Sequence, residues 1–193
     1  MHVVAGICGV GVLRYAAVPR RRFELLLIGA VALFACVTSW TLTLRLIALP
    51  VGVFALPAAV VDLAEHRIPN RVSAMFLASE AAGIAGAALL TDAQDILLRA
   101  LVGGAVWGGL LLGSFVISGQ PGPGDVKFAP PLGMLAGAAG WPAIGSAIAA
   151  CYLLAGFAAL VFVVLGRRRS RIPLAPAMVG GTVLAVTMTS LGT

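Results

Sequence analysis

Seven acidic residues occur in this chain: Glu24, Asp62, Glu65, Glu80, Asp92, Asp95 and Asp125. Two of them stand where they could do chemistry. Asp62 closes the uncharged run Leu46–Val61 and leads into a Pro-Asn turn, in VVDLAEHRIPN. It falls towards the C-terminal end of an apolar helix, where the helix dipole disfavours an anion. Asp125 follows a Gly-Pro-Gly turn in SGQPGPGDVKFAPPLG, a stretch that also holds Lys127, the one lysine of the chain. Taken alone, Asp125 reads as a capping residue, because Asp is a favoured helix N-cap. As a pair, the two carboxyls gain a second reading. Close carboxyls cannot easily both ionise, so one keeps a proton while the other stays anionic. The anion can take a proton from water, and the acid can polarise a peptide carbonyl. That is aspartic-protease chemistry, and it needs no metal, no cofactor and no nucleophilic Ser or Cys.

The elements that must bring the pair together are membrane helices. Hydrophobic residues make up 61% of the 193, and charged residues only 10%. A soluble domain has roughly 45–50% and about 25%. Charge-free runs cover Leu25–Leu44, Leu46–Val61, Ala100–Gly124, Phe128–Gly166 and Ile172–Thr193. A spanning helix needs about 20 mostly apolar residues. Phe128–Gly166 is long enough for two, with a break at Trp141-Pro142. The pattern predicts up to eight helices, near 3–18, 23–44, 46–64, 72–90, 97–117, 126–140, 143–165 and 172–190. The sixth carries Pro130-Pro131, which should kink it. The expected architecture is an all-α polytopic transmembrane bundle of about 6–8 spans. It forms one domain over 1–193, with no soluble domain.

Loop charge predicts the orientation. The loops near 19–22, 65–71, 118–127 and 166–171 fall on one side of such a bundle. With Arg14, that side holds Arg20, Arg21, Arg22, Arg67, Arg71, Lys127, Arg167, Arg168, Arg169 and Arg171, which is 11 of the 13 basic residues. Positive-inside logic makes it cytoplasmic. Asp62 and Asp125 then share the cytoplasmic edge of the membrane. The net charge of +6 is a topology signal and does not point to nucleic acid.

The remaining polar residues have quieter readings. Asp92 and Asp95 read as solvated loop acids, the latter four residues before Arg99, and Glu24 sits at a helix start. Glu65, three residues after Asp62, is either a solvated turn residue or a competing second carboxylate. Glu80 falls mid-helix; it is either functional, as intramembrane acids often are, or protonated and bonded to Ser73, Ser79 or a neighbouring helix. Gly122 and Gly124 would let backbone approach an extended substrate and adopt turns closed to other residues, or simply form a loop. Cys8, Cys36 and Cys151 lack CxxC spacing and read as apolar side chains.

These stretches resemble a known family. GPGDVK resembles the GxGDxK motif of type IV prepilin peptidases, which are GxGD-type intramembrane aspartic proteases. DLAEHRIPN looks like their first motif, and RIPLAPAMVGG is similar to their closing Ile-Pro-aromatic-x-Pro segment, with Leu174 in place of the aromatic. The resemblance covers about residues 50–185 and implies a peptidase that removes the short leader of prepilin-like membrane proteins. The cut would fall at the cytoplasmic face, after a Gly that precedes a hydrophobic helix. It carries catalytic roles onto Asp62 and Asp125. Gly122, Gly124 and Lys127 complete the second motif, and Pro69 and Asn70 belong to the first. Lys127 would hold a substrate carboxylate or tune Asp125, or else is a snorkelling cation. Without CxxC pairs, the chain looks like the short, peptidase-only form found with tight-adherence (Flp-type) pili. No methyltransferase activity, metal or cofactor is then expected, and the implied setting is the bacterial inner membrane. Two other classes compete: a small proton-coupled transporter, with Glu80 and the broken sixth helix marking its pathway, and a noncatalytic pilus-assembly subunit.

Overall fold

The computed structural model describes residues 20–65, 67–91, 93–166 and 173–192. Helix α1 spans Arg20–Val37 and α2 spans Leu42–Ile47; a π-helical turn at Val51–Ala55 leads into α3, Leu56–Glu65. Then follow α4 (Asn70–Thr91), α5 (Gln94–Ser118), α6 (Pro123–Ala139), α7 (Trp141–Val164) and α8 (Ala175–Leu191). No strand occurs among the described residues. The expected helix near 3–18 lies outside them. Four helices are long and apolar enough to cross a membrane: Leu42–Leu63, Asn70–Thr91, Gln94–Ser118 and Trp141–Val164. α8 is a shorter apolar helix. The all-helical membrane bundle expected from composition is the fold observed.

One expected break has moved. Arg45 was to separate the second and third helices, but the chain turns earlier, at Thr38–Thr41. Thr41 caps the new helix by accepting the Leu44 N–H at 3.4 Å. Arg45 lies inside that helix and reaches back, donating from Nε to the Trp40 carbonyl at 2.8 Å and from Nη2 to the Thr38 carbonyl. A cation can thus satisfy carbonyls at the end of α1 without itself marking a loop. Trp40 pins the turn to α8 through Nε1–H donation to Thr187 Oγ1 at 3.1 Å.

The core sits on α6. Phe128 and Ala129, and then every residue from Pro131 to Ala138, are buried, as befits a helix that is apolar all round. Its sequence is Gly- and Ala-rich, so neighbours come close. A Cβ added at Gly133 would collide with the Gly103 carbonyl, and one at Gly137 with the Arg99 carbonyl, so α5 and α6 touch backbone to backbone. The helix runs on through Pro130-Pro131, whose rings need room. Gly108 provides it: Pro130 Cγ lies 2.8 Å from where a Cβ of Gly108 would stand. Gly140, at φ 147°, makes the break before Trp141-Pro142.

On α4 the buried face recurs every three or four residues: Ser73, Phe76, Glu80, Ile84, Ala87. Phe76 packs on Phe128 with ring centroids 5.5 Å apart. Glu80 is 0% exposed. Neither of its oxygens has a hydrogen-bond partner among the described residues. The expected bonds to Ser73 and Ser79 are not made, because Ser73 Oγ is itself unpartnered and Ser79 Oγ donates to the Phe76 carbonyl. A buried polar group without a partner costs about 1–3 kcal/mol. Glu80→Leu, of similar size, should therefore raise the thermal unfolding midpoint in detergent. An unchanged or lowered midpoint would mean that Glu80 has a partner that stabilises the fold.

Candidate active site

Four element ends meet at one end of the bundle: the last turn of α3, and the starts of α4, α6 and α8. Between the first three lies a cavity of about 540 Å³. Its wall takes Asp62, Glu65 and 67–70 from one sequence stretch and 122–125 from the other. The two stretches singled out by chemistry are thus brought to one place.

Asp62 is only 6% exposed. Its Oδ2 accepts the backbone N–H of Ala175, the first residue of α8, at 3.1 Å. The first N–H groups of a helix have no partner of their own and carry its positive pole. Asp62 therefore caps a helix that is not its own. The unfavourable end of α3 is offset by the favourable end of α8.

Asp125 was expected to be the N-cap of its helix; that position belongs to Gly122. Asp125 stands three residues later, within the first turn, and its N–H donates to the Gly122 carbonyl at 3.1 Å. The Gly122 N–H in turn donates to the Asp125 carboxyl. An acid at the third position thus reaches back to the cap, one half of a capping box whose other half glycine has no side chain to make. Asp125 lies outside the four candidate spans, and its pKa is pushed up to about 6. Burial is the larger cause and the negative charge of Asp62 the second; the Gly122 N–H pulls the other way. The two carboxyls therefore interact.

Gly122 and Gly124 do not adopt the left-handed turns expected of them. Gly122 has φ −63° and ψ 157°, an extended conformation open to any residue. Left-handed glycines occur elsewhere, and the relevant one is Gly119 at φ 70°, which ends α5 ahead of the turn. A Cβ at Gly124 would lie 3.4 Å from Ile68 Cβ, in van der Waals contact, so the two stretches pack against each other at this point.

Lys127 is exposed, and its Nζ donates to Asn70 Oδ1 at 3.1 Å. It ties the first turn of α6 to the first residue of α4. Since the bond is solvated, a double-mutant cycle of Lys127→Ala with Asn70→Ala should give a coupling below about 1 kcal/mol. A larger value would mean the clamp organises the loop. Pro69 lines the cavity, and its carbonyl accepts from Val72 and Ser73 N–H at 3.0 and 3.2 Å, starting α4.

Glu65 is exposed on the cavity wall. At the other end of α5, Arg99 pairs with Asp95 at 2.8 Å, as their spacing suggested, while Asp92 lies outside the described residues. Sequence reasoning missed two contributors. Arg67, in the wall, went unremarked inside the first motif. The Ala175 N–H is a backbone donor and has no side-chain signature; the closing RIPLAP stretch was its only trace.

The sequence profile of the type IV leader peptidase family matches residues 47–166, more than half of the chain. The chain belongs to the type IV leader peptidase family. The family match takes in both Asp62 and Asp125 and ends before α8 begins. No curated protein and no solved structure matches the chain. Family and fold together make this a membrane peptidase of the leader-peptidase kind.

Proposed function

We propose that the protein is an intramembrane aspartic endopeptidase that removes the short leader of prepilin-like membrane proteins, with Asp62 and Asp125 as its catalytic pair. One observation carries the reading: residues of two distant stretches line one cavity, and the charge of Asp62 raises the proton affinity of Asp125. The roles follow from the surroundings. Asp62, held by the α8 N–H, is the anion and takes a proton from water as the water oxygen attacks the scissile carbonyl carbon. Asp125, protonated, gives its proton to the carbonyl oxygen. Collapse of the tetrahedral intermediate returns that proton to Asp125, and Asp62 passes its own to the leaving amine. Gly122 caps α6, Pro69 starts α4 and Gly124 packs on Ile68, so the two stretches meet at the cavity; the solvated Lys127–Asn70 bond adds little. No metal, cofactor or methyl transfer enters the scheme, and no nucleic acid.

The basic residues Arg67, Arg71 and Lys127 flank the cavity in sequence, which supports a cytoplasmic opening in a bacterial inner membrane. Co-expression with a prepilin tests the reading: a shortened product on a gel is expected, and an uncut substrate beside well-folded enzyme would refute it. The pH dependence has a definite sign. Asp125 acts with its proton on, and its raised pKa keeps that proton to about pH 6. For the free enzyme, kcat/KM should therefore fall as pH rises through about 6. A profile flat from pH 5 to about 8 would remove Asp125 from the acid role.

A further inference from the structure

We propose that the groove between α1, α3 and α8 seats an apolar, membrane-embedded helix of the substrate and delivers the end of that helix to Asp62. This deepens the peptidase reading above and rests on it. The groove encloses about 330 Å³. Small side chains from all three helices shape it, among them Gly29 and Ala32 on α1, Ala59 on α3 and Gly180 on α8. Among the described residues, no charged one lines it.

Its position singles it out. Leu63, in its wall, follows Asp62 directly. Pro176, also in its wall, follows Ala175, whose N–H holds Asp62 at 3.1 Å. The end of the groove is therefore one residue, on each of α3 and α8, from the hydrogen bond that fixes the carboxylate. Two other cavities lack this continuity: one of about 350 Å³ sits at the far end of the bundle near Thr41, Thr91 and Thr189, and one of about 260 Å³ lies beside Arg45.

The chemistry of the groove selects its occupant. In hydrocarbon, a chain must satisfy its own backbone groups, so an extended peptide cannot lie along an apolar wall, whereas a helix can. Small residues let helix backbones approach closely, which is how helices associate in lipid. A peptide bond within a helix is shielded, and a helix end is where the chain can become extended. A helix lying in this groove would place that end beside Asp62.

The test uses the full chain in membranes with a co-expressed prepilin. A photo-crosslinking benzoylphenylalanine is placed at Ala32 or Leu184 in the groove, or at Leu153 on α7, which is 73% exposed. The Asp125→Asn background keeps substrate uncut. Adducts with the prepilin are expected at Ala32 and Leu184 and not at Leu153. Equal labelling at all three positions, or adducts only with lipid or with the chain's own residues 1–19, would overturn the proposal. In the active enzyme, Ala32→Trp should slow processing of full-length prepilin by about tenfold and leave cleavage of a short peptide spanning only the cut site unchanged. Equal loss on both substrates, or on neither, would also overturn it. If the wild-type enzyme cuts neither substrate, the peptidase reading fails, and the crosslinking pattern still reports on the groove by itself.

Discussion

Asp62→Asn should abolish leader cleavage, Asp125→Asn should do the same, and the double variant should be no worse than either single one. A positioned acid or base contributes about 10²–10⁴-fold. Here each carboxyl depends on the other, so removing one removes the function of both, and the effects do not add. Fold loss is a poor explanation for such a result. Asn keeps an oxygen that can accept the Ala175 N–H now bound by Asp62. At position 125 it keeps an oxygen for the Gly122 N–H. The readout is the shortened prepilin band, alongside the amount of enzyme in the membrane. Two variants that both still cleave would refute the pair. Loss in only one would turn attention to Glu65, which lines the same cavity.

Gly133→Val should cost the protein its fold, while Gly109→Val and Gly113→Val should cost little. At Gly133 an added Cβ meets the Gly103 carbonyl, and Gly104 Cα lies 3.0 Å away, so backbone on both helices would have to move. Overpacking costs about 1–3 kcal/mol where side chains can adjust, and more where they cannot. Around Gly109 and Gly113, on the same helix as Gly103, nothing lies within 4 Å. All three changes are equally β-branched on a helix, so propensity cannot separate them. Membrane abundance and the unfolding midpoint in detergent decide the matter. A folded Gly133→Val protein would show that α5 and α6 do not cross as closely as described.

The helices were legible because charge-free runs are long and their ends carry Pro, Gly or Arg. Trp141-Pro142 marked a real break for that reason. Arg45 misled, since a long side chain can serve a turn several residues behind it, and the short turn Thr38–Thr41 carries no Gly, Pro or charge to stand out. The cavity was legible as far as side-chain types could announce it: two acids, each beside a turn, in loops on one predicted side. What could not be read was anything made by backbone. The cap on α6 is Gly122 because its N–H and carbonyl face Asp125, a matter of geometry and not of residue type. Gly124 looked like conformational licence and proved to be a point of contact with Ile68. Glu80 was seen as exceptional from its position, but its lack of partners depends on which face of α4 turns inward.

The bond from α8 to Asp62 has a consequence in time as well as in space. Donor and acceptor are separated by 113 residues. The segment matched by the family profile, from 47 to 166, is synthesised before the donor exists. A nascent chain that has threaded α3 through α7 already holds both acids, yet the group that fixes Asp62 is still to come. The site is thus completed by a late arrival. On the proposed mechanism, a chain stalled short of α8 would lack the donor that fixes its catalytic anion.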